Sequence, residues 1–222
     1  TFNTDPDTTA NLIEVTNGGS FSVDLSGGNT GDFTLGEEDT FRLNGSTSSA
    51  TITADDAVRF DGTVQLQDEA TLTVNGGTTY LDSTAKFEGS ETNPGTLILS
   101  EGSLSIDEPL VAFRPNITFN NDTDQDITAP NTDSSILNLG TITKEGTGTL
   151  TVDSNVNNIE AATINITEGT LLLGDSDQLA NSNDMILSGG TFATGGNDEI
   201  LNTLTLSIDS TLDMGSGSSI LQ

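Results

Sequence analysis

The chain has 222 residues, of which only 32% are apolar, and its formal net charge is −29. Five basic residues stand against 34 acidic ones, a balance that disfavours binding to nucleic acid or to an anionic membrane surface. The absence of Cys and His excludes disulfides, a thiol catalyst, a zinc site built on those residues and a Ser or Thr nucleophile activated by His.

Residues 1–11 are polar and are interpreted as an extended or mobile N-terminal arm. From residue 12 to residue 107, short apolar bursts alternate with polar residues, which is the pattern of half-buried β-strands. The predicted strands are 21–25, 33–35, 41–43, 50–53, 58–60, 64–66, 72–74, 79–81, 97–99 and 104–106. Three such strands with their Gly- and Asn-rich turns take roughly 20–25 residues, the length of one β-helix coil. Residues 12–107 are therefore predicted to form degenerate coils of a β-solenoid.

Residues 108–135 lose this alternation and are interpreted as an irregular acidic loop region. Four of its acids are spaced like the ligands at positions 1, 3, 5 and 12 of a Ca²⁺-binding loop: Asp122, Asp124, Asp126 and Asp133. Ile127 stands where an EF-hand needs Gly, and no helix flanks the loop, so an EF-hand is disfavoured. Two interpretations stay open, a loop-type Ca²⁺ site and a solvated acidic loop. If Ca²⁺ binds, it should raise the melting temperature, and chelation should reverse the change.

Residues 136–222 show the strand pattern most regularly. Residues 144–174 read KEGTGTLTVDSNVNNIEAATINITEGTLLLG, in which three apolar pairs alternate with Thr, Asn or Leu between Gly and Asn turns. Segment 175–184 has neither alternation nor Gly, and it is predicted to be an irregular loop or a single helical turn. The short strands recur too often for an ordinary sandwich and indicate stacked coils.

The succession of KEGTGTLTV, an Asn-containing turn and ATINITEGTLLLG resembles the autotransporter-associated β-strand repeat, and the likeness covers about residues 126–222. The resemblance implies a right-handed parallel β-helix in a large secreted or surface-exposed bacterial protein. We therefore predict an all-β fold, a right-handed parallel β-helix (β-solenoid) of about ten short coils. The leucines expected to form its apolar column are Leu150, Leu171, Leu173, Leu187, Leu204, Leu206 and Leu212. Thr and Asn at equivalent positions of neighbouring coils would form hydrogen-bonded ladders.

The pattern of residues 136–222 runs to the last residue without a polar cap, which predicts open strand edges on the final coil. The leading hypothesis is a non-enzymatic structural protein of the bacterial cell surface or extracellular matrix, a β-solenoid subunit that assembles with copies of itself into a filament or layer. The contacts would be end to end, or residues 1–15 would add as a strand to the next subunit. The alternative is an adhesin-type passenger stalk that binds a host or polysaccharide surface through residues 108–133.

A β-helix polysaccharide lyase or hydrolase is a third hypothesis, which the sequence disfavours. Hydrolases need two carboxylates at a defined separation, but in so acidic a chain neighbouring carboxylates arise by chance. A lyase needs a base beside bound Ca²⁺, and the one suggestive spacing is Arg42 after the acids at 37–39. We therefore predict no enzyme activity and no nucleic-acid partner. Since no apolar run approaches 18 residues, we also predict no membrane insertion. The extracellular location, secreted or at the cell surface, is what the resemblance implies.

Overall fold

The computed structural model describes residues 11–26, 32–82, 84–90, 92–106, 115–130, 134–216 and 219–222, and for 134–139 it describes the backbone alone. Within this part of the chain there are 22 strands and no helix. The first twelve are β1 (Leu12–Thr16), β2 (Ser20–Leu25), β3 (Phe33–Leu35), β4 (Thr40–Asn44), β5 (Ser49–Ala54), β6 (Ala57–Phe60), β7 (Thr63–Gln67), β8 (Thr71–Asn75), β9 (Thr78–Leu81), β10 (Lys86–Gly89), β11 (Thr96–Ser100) and β12 (Ser103–Ile106). The other ten are β13 (Asn116–Asn120), β14 (Gln125–Thr128), β15 (Ser134–Glu145), β16 (Thr149–Val152), β17 (Val156–Ile166), β18 (Thr170–Leu173), β19 (Asp184–Leu187), β20 (Thr191–Ala193), β21 (Thr203–Leu206) and β22 (Thr211–Asp213).

These strands form three parallel sheets. One has the order β1-β4-β7-β10, the second β2-β5-β8-β11-β13-β15-β17-β19-β21, and the third β3-β6-β9-β12-β14-β16-β18-β20-β22. Consecutive strands along the chain lie in different sheets, and each strand pairs with the equivalent strand one coil away. In the third sheet Thr149 is in register with Thr170 and Thr170 with Thr191, so each of these coils takes 21 residues (170 − 149 and 191 − 170). The predicted parallel β-solenoid is confirmed.

The number of coils is smaller than predicted. The two longer sheets contain nine strands each, so the solenoid has fewer turns than the ten coils expected from the sequence. The first coil is longer than the 20–25 residues expected, because Ser20 in β2 is in register with Ser49 in β5, a separation of 29 residues (49 − 20).

The core is a column of inward side chains at every second strand position. Inward residues in adjacent coils stack in register, as do Leu150 of β16 and Leu171 of β18, both of which are buried. Leu173 and Leu187 are also buried, as predicted. In the first coils the column contains aromatic rings, and the ring centroids of Phe60 and Phe87 lie 5.4 Å apart. This apolar column supplies most of the favourable free energy of folding, because few other apolar surfaces are buried.

Two predicted regions differ from the structure. The segment 108–135 was expected to be irregular, but β13 and β14 lie within it and continue both long sheets. Each of these strands has only a few buried inward residues, such as Ile117 and Phe119 of β13. The acids and prolines on either side made their alternation difficult to recognise in the sequence. Residues 107–114 and 131–133 lie outside the described residues. In the segment 1–15, expected to add as a strand to the next subunit, residues 12–15 pair with β4 of the same chain, and residues 1–10 lie outside the described residues.

Glycines allow neighbouring coils to approach closely at the corner between the second and third sheets. Gly146 has φ of +72°, and a Cβ placed on it would lie 2.3 Å from the carbonyl oxygen of Asn121 in the preceding coil. A side chain would therefore collide with backbone and would also require a left-handed conformation. Gly169 and Gly189 also have positive φ.

Candidate functional site

Three of the four acids of the predicted Ca²⁺ loop are described: Asp122 and Asp124 lie on the corner between β13 and β14, and Asp126 lies in β14 itself. Asp122 Oδ1 accepts hydrogen bonds from the backbone N–H and the hydroxyl of Thr147, at 3.2 and 3.3 Å. Asp124 Oδ1 accepts one from the backbone N–H of Thr149, at 2.9 Å. Among the described residues no three acids come together as a metal site. Asp122 and Asp124 instead tie their coil to the next one.

Asp126 and Asp133 complete the predicted ligand set. Asp126 is exposed in β14, and its backbone N–H donates a hydrogen bond to the hydroxyl of Ser103 in the preceding coil. Asp133 lies outside the described residues. The structure therefore brings no ligand set together among the three acids it describes, and Ca²⁺ binding by all four stays a prediction.

A buried lysine lies behind this acidic corner. Lys144, at the inward phase of β15, is 1% exposed, and its Nζ donates hydrogen bonds to the carbonyl oxygens of Glu145 and Gly146, at 2.6 and 2.7 Å. Burial lowers the pKa of this amine, while the negative charges of Glu168, Asp122 and other nearby acids oppose the shift. The chain thus places one of its own cations at this corner, in contact with carbonyl oxygens.

Three buried polar atoms in the coil that precedes Lys144 have no hydrogen-bond partner among the described residues. They are Asn121 Oδ1 and the Nε2 and Oε1 atoms of Gln125. Gln125 faces inward beneath Leu150, with which it is in register. The side-chain amide of Gln178, by contrast, makes four hydrogen bonds. Its Oε1 accepts from the N–H groups of Gly174 and Asp175, and its Nε2 donates to two carbonyl oxygens. The two buried glutamines therefore differ in hydrogen bonding and not in exposure.

This difference predicts opposite effects of one substitution. Gln125→Leu should raise the free energy of unfolding by about 1–2 kcal/mol, because it removes an unpaired buried amide and fills the apolar column. Gln178→Leu should lower it by about 2–4 kcal/mol, because four backbone groups lose their partner. Urea unfolding of both variants measures the two changes. A destabilised Gln125→Leu would show that the Gln125 amide is satisfied in solution.

A second buried ionisable group lies near the last coil. Glu199 is 0% exposed, and its Oε2 accepts hydrogen bonds from the N–H groups of Gln178 and Leu179, at 3.1 and 3.3 Å. Its Oε1 accepts from the N–H of Ile200 at 3.2 Å. Burial raises the pKa of this carboxyl to about 7, although the three hydrogen bonds act in the opposite direction. Glu199 therefore joins the last two coils through a carboxyl that titrates near neutral pH.

Arg42, the basic residue considered for lyase chemistry, takes part in a polar ladder on the outside of the first sheet. Its Nη1 lies 3.1 Å from Glu14 Oε1, and its Nε donates a hydrogen bond to Gln65 Oε1. Gln65 Nε2 in turn donates to Glu88 Oε2. The ladder crosses four strands and accounts for the bonding of Arg42 without a substrate. Exposed ion pairs of this kind contribute about 0–1 kcal/mol to stability.

The last coil exposes a group of apolar side chains. Leu206 is 60% exposed and Ile208 63%, with Leu212 and Ile220 also exposed. Leu206 is at an inward position, because it is in register with the buried Leu187 one coil earlier. Among the described strands, β21 has a neighbour on one side only, β19, and this leaves the Leu206 side chain exposed. The sequence had placed Leu204, Leu206 and Leu212 in the buried column, and this is wrong for Leu206 and Leu212, which are exposed, while Leu204 is half-buried.

Comparison with protein-family models, with curated proteins and with solved structures finds no match to the chain. The likeness of residues 126–222 to the autotransporter-associated repeat therefore stays a prediction from the sequence. The described residues contain no helix with the length and apolar character needed to cross a membrane. The class that the structure defines is a parallel β-solenoid, with buried polar corners and an apolar edge on its last coil.

Proposed function

We propose that the chain is a non-enzymatic structural protein of the bacterial cell surface or extracellular matrix, whose subunits stack end to end into a filament. The observation that supports this most is the in-register parallel stacking of both nine-stranded sheets over one continuous apolar column, because each coil presents the next one with the same strands. A second copy that continues this stacking would cover Leu206, Ile208, Leu212 and Ile220 at the edge of the described strands.

The first coil offers a complementary edge. Both nine-stranded sheets begin there, with β2 and β3, and both finish in the last coil, with β21 and β22. A second copy displaced along the solenoid axis could therefore pair its β2 with β21 and its β3 with β22 at the same time. The inward Phe21 and Val23 of β2 are half-buried and would be covered. Such a contact joins different surfaces of the two copies, does not close, and propagates as a filament.

Charge opposes this contact. Each copy carries a formal charge of −29, so stacking brings like charges together. At roughly 0.1 M ionic strength, salt largely screens the repulsion between exposed charges that lie more than about 10 Å apart. Assembly is therefore expected to increase with ionic strength as well as with protein concentration.

Light scattering after size-exclusion chromatography, with electron microscopy of the same samples, tests the proposal. The wild-type chain should form elongated particles as ionic strength and concentration rise. Leu206→Asp should prevent assembly, because the charge would be buried at the contact but stays exposed in the monomer. Ile186→Asp is the matched control, since Ile186 faces outward from β19, the strand next to β21, and so does not face the contact. A wild-type chain that stays monomeric throughout, or a Leu206→Asp variant that assembles normally, would overturn the proposal.

A further inference from the structure

The outer face of the second sheet carries two straight rows of short side chains, which we call the threonine face. The first row, one residue from each strand from β2 to β21, is Ser20, Ser49, Thr71, Thr96, Asn116, Thr141, Thr163, Asp184 and Thr203. The second row is Ser22, Thr51, Thr73, Ile98, Thr118, Thr143, Asn165, Ile186 and Thr205. In-register parallel pairing holds both rows straight.

The threonine face is almost uncharged, although the chain as a whole is strongly acidic. Of the eighteen positions in the two rows, only that of Asp184 is ionisable, and the second row has no charge at all. The next outward row of the same sheet, which contains Asp24 and Glu145, lies beside the threonine face and is not part of it. The other 33 acids (34 − 1) are spread over the rest of the sequence. A solvated face of so acidic a solenoid would be expected to carry several of them. This face therefore complements a neutral partner.

The hydroxyl groups of the threonine face are available for a ligand. Thr203 donates a hydrogen bond to Asp184 Oδ1 at 2.7 Å. Within the described part of the chain, no other Ser or Thr hydroxyl of the two rows has a protein hydrogen-bond partner. Most of these side chains are half-exposed, because they flank one another along the rows while the inward residues of the same strands are buried. Each threonine presents a methyl group beside its hydroxyl.

The spacing of the face is fixed in two directions. Neighbouring strands lie about 4.8 Å apart, and residues two apart on a strand are separated by roughly 6.7 Å, twice the rise per residue. The stacked core holds this array rigid. A surface that repeats in both directions matches a ligand that does the same. Irregular partners such as a folded protein would meet only a few of its groups in register.

We propose that the threonine face binds the surface of ice. Water molecules in ice form a neutral lattice whose repeats are close to both spacings of the face, and its hydrogen bonds match unpaired hydroxyls set between methyl groups. Crystalline polysaccharide is the other neutral lattice to consider, but sugar rings are bound by stacking on aromatic side chains. Neither row contains an aromatic residue. The array therefore favours ice over polysaccharide.

Partition of the protein into a slowly growing ice front tests this proposal, with the fraction in the melted ice measured by peptide absorbance. The wild-type chain should be enriched in the ice. Thr118→Tyr combined with Thr143→Tyr, in the centre of the second row, should lower the enrichment by about tenfold or more, because the rings hold the lattice away from the face. Thr151→Tyr is the matched control, since Thr151 faces outward from the third sheet, and it should leave enrichment unchanged.

Circular dichroism verifies that each variant is folded, and Thr73→Tyr replaces the double variant if that one does not fold. Exclusion of the wild-type chain from the ice would overturn the proposal. Equal losses in Thr118→Tyr/Thr143→Tyr and Thr151→Tyr would overturn it as well. A third contrary result is that the wild-type chain stays out of ice but binds crystalline cellulose, and that the double variant does not bind cellulose. That result would also overturn the proposal. Assembly into filaments is measured separately at room temperature. If no filament forms, the proposed structural function fails, and the ice experiment still tests the threonine face independently.

Discussion

Leu171→Asp should abolish cooperative folding of the chain, whereas Leu172→Asp, one residue further along β18, should be tolerated. The two leucines are neighbours in one strand, but Leu171 is buried between Leu150 and Phe192, while Leu172 faces outward and is half-exposed. Removing a buried leucine side chain costs about 2–5 kcal/mol. Burying an unpaired carboxylate adds several kcal/mol more. The sum approaches the whole stability of a typical domain, about 5–15 kcal/mol.

Urea unfolding followed by circular dichroism separates the two outcomes. Leu172→Asp should change the free energy of unfolding by less than about 1 kcal/mol, as surface substitutions usually do. Leu171→Asp should show no cooperative transition, or one at a much lower urea concentration. Equal effects of the two substitutions would mean that the inward and outward phases of β18 are wrongly assigned. Such a result would count against the register of the whole column.

The alternation of residue types predicted the strands well, because a solenoid core depends on a simple rule. Every second residue of a strand faces the column, and each coil repeats the rule. The predicted strands from residue 21 to residue 106 all lie inside observed ones, and the bursts at 150–152, 164–166 and 171–173 fall in β16, β17 and β18. The segment 175–184, expected to be a loop or a helical turn, holds no helix; it has an isolated bridge at Leu179, and its last residue, Asp184, begins β19.

The buried polar residues were missed because a polar side chain was taken to face solvent. The signal available in the sequence was their spacing, because each of them lies two residues from an apolar residue of the same strand or segment. Lys144 follows Ile142 by two positions, Gln125 precedes Ile127 by two, and Glu199 precedes Leu201 by two. Each apolar partner is buried, so the polar residue also points inward. Which of these groups find hydrogen bonds could not be predicted, because that depends on corner geometry in the adjacent coil.

Glu199 should make the stability of the protein fall as the pH rises through neutrality. Burial raises the pKa of this carboxyl from 4.5 to about 7. A raised pKa means that the folded chain holds the proton more tightly than the unfolded chain does. The stabilising contribution is therefore complete below the unfolded pKa of 4.5 and is lost as the pH rises through about 7. The difference of about 2.5 units corresponds to about 3 kcal/mol.

Glu199→Gln isolates this contribution, because it keeps a carbonyl oxygen for the backbone N–H groups and removes the titration. The free energy of unfolding of the wild-type chain should fall by about 3 kcal/mol from about pH 5 to about pH 8, and that of Glu199→Gln by much less. The exposed carboxyls whose pKa is lowered, such as those of Glu101 and Asp184, lose their contribution only at more acidic pH. Glu37→Gln, at an exposed acid in the turn between β3 and β4, should retain the wild-type profile. Parallel profiles for wild type and Glu199→Gln would mean that the Glu199 carboxyl is ionised and solvated. In that case the last two coils would be held together without a neutral carboxyl.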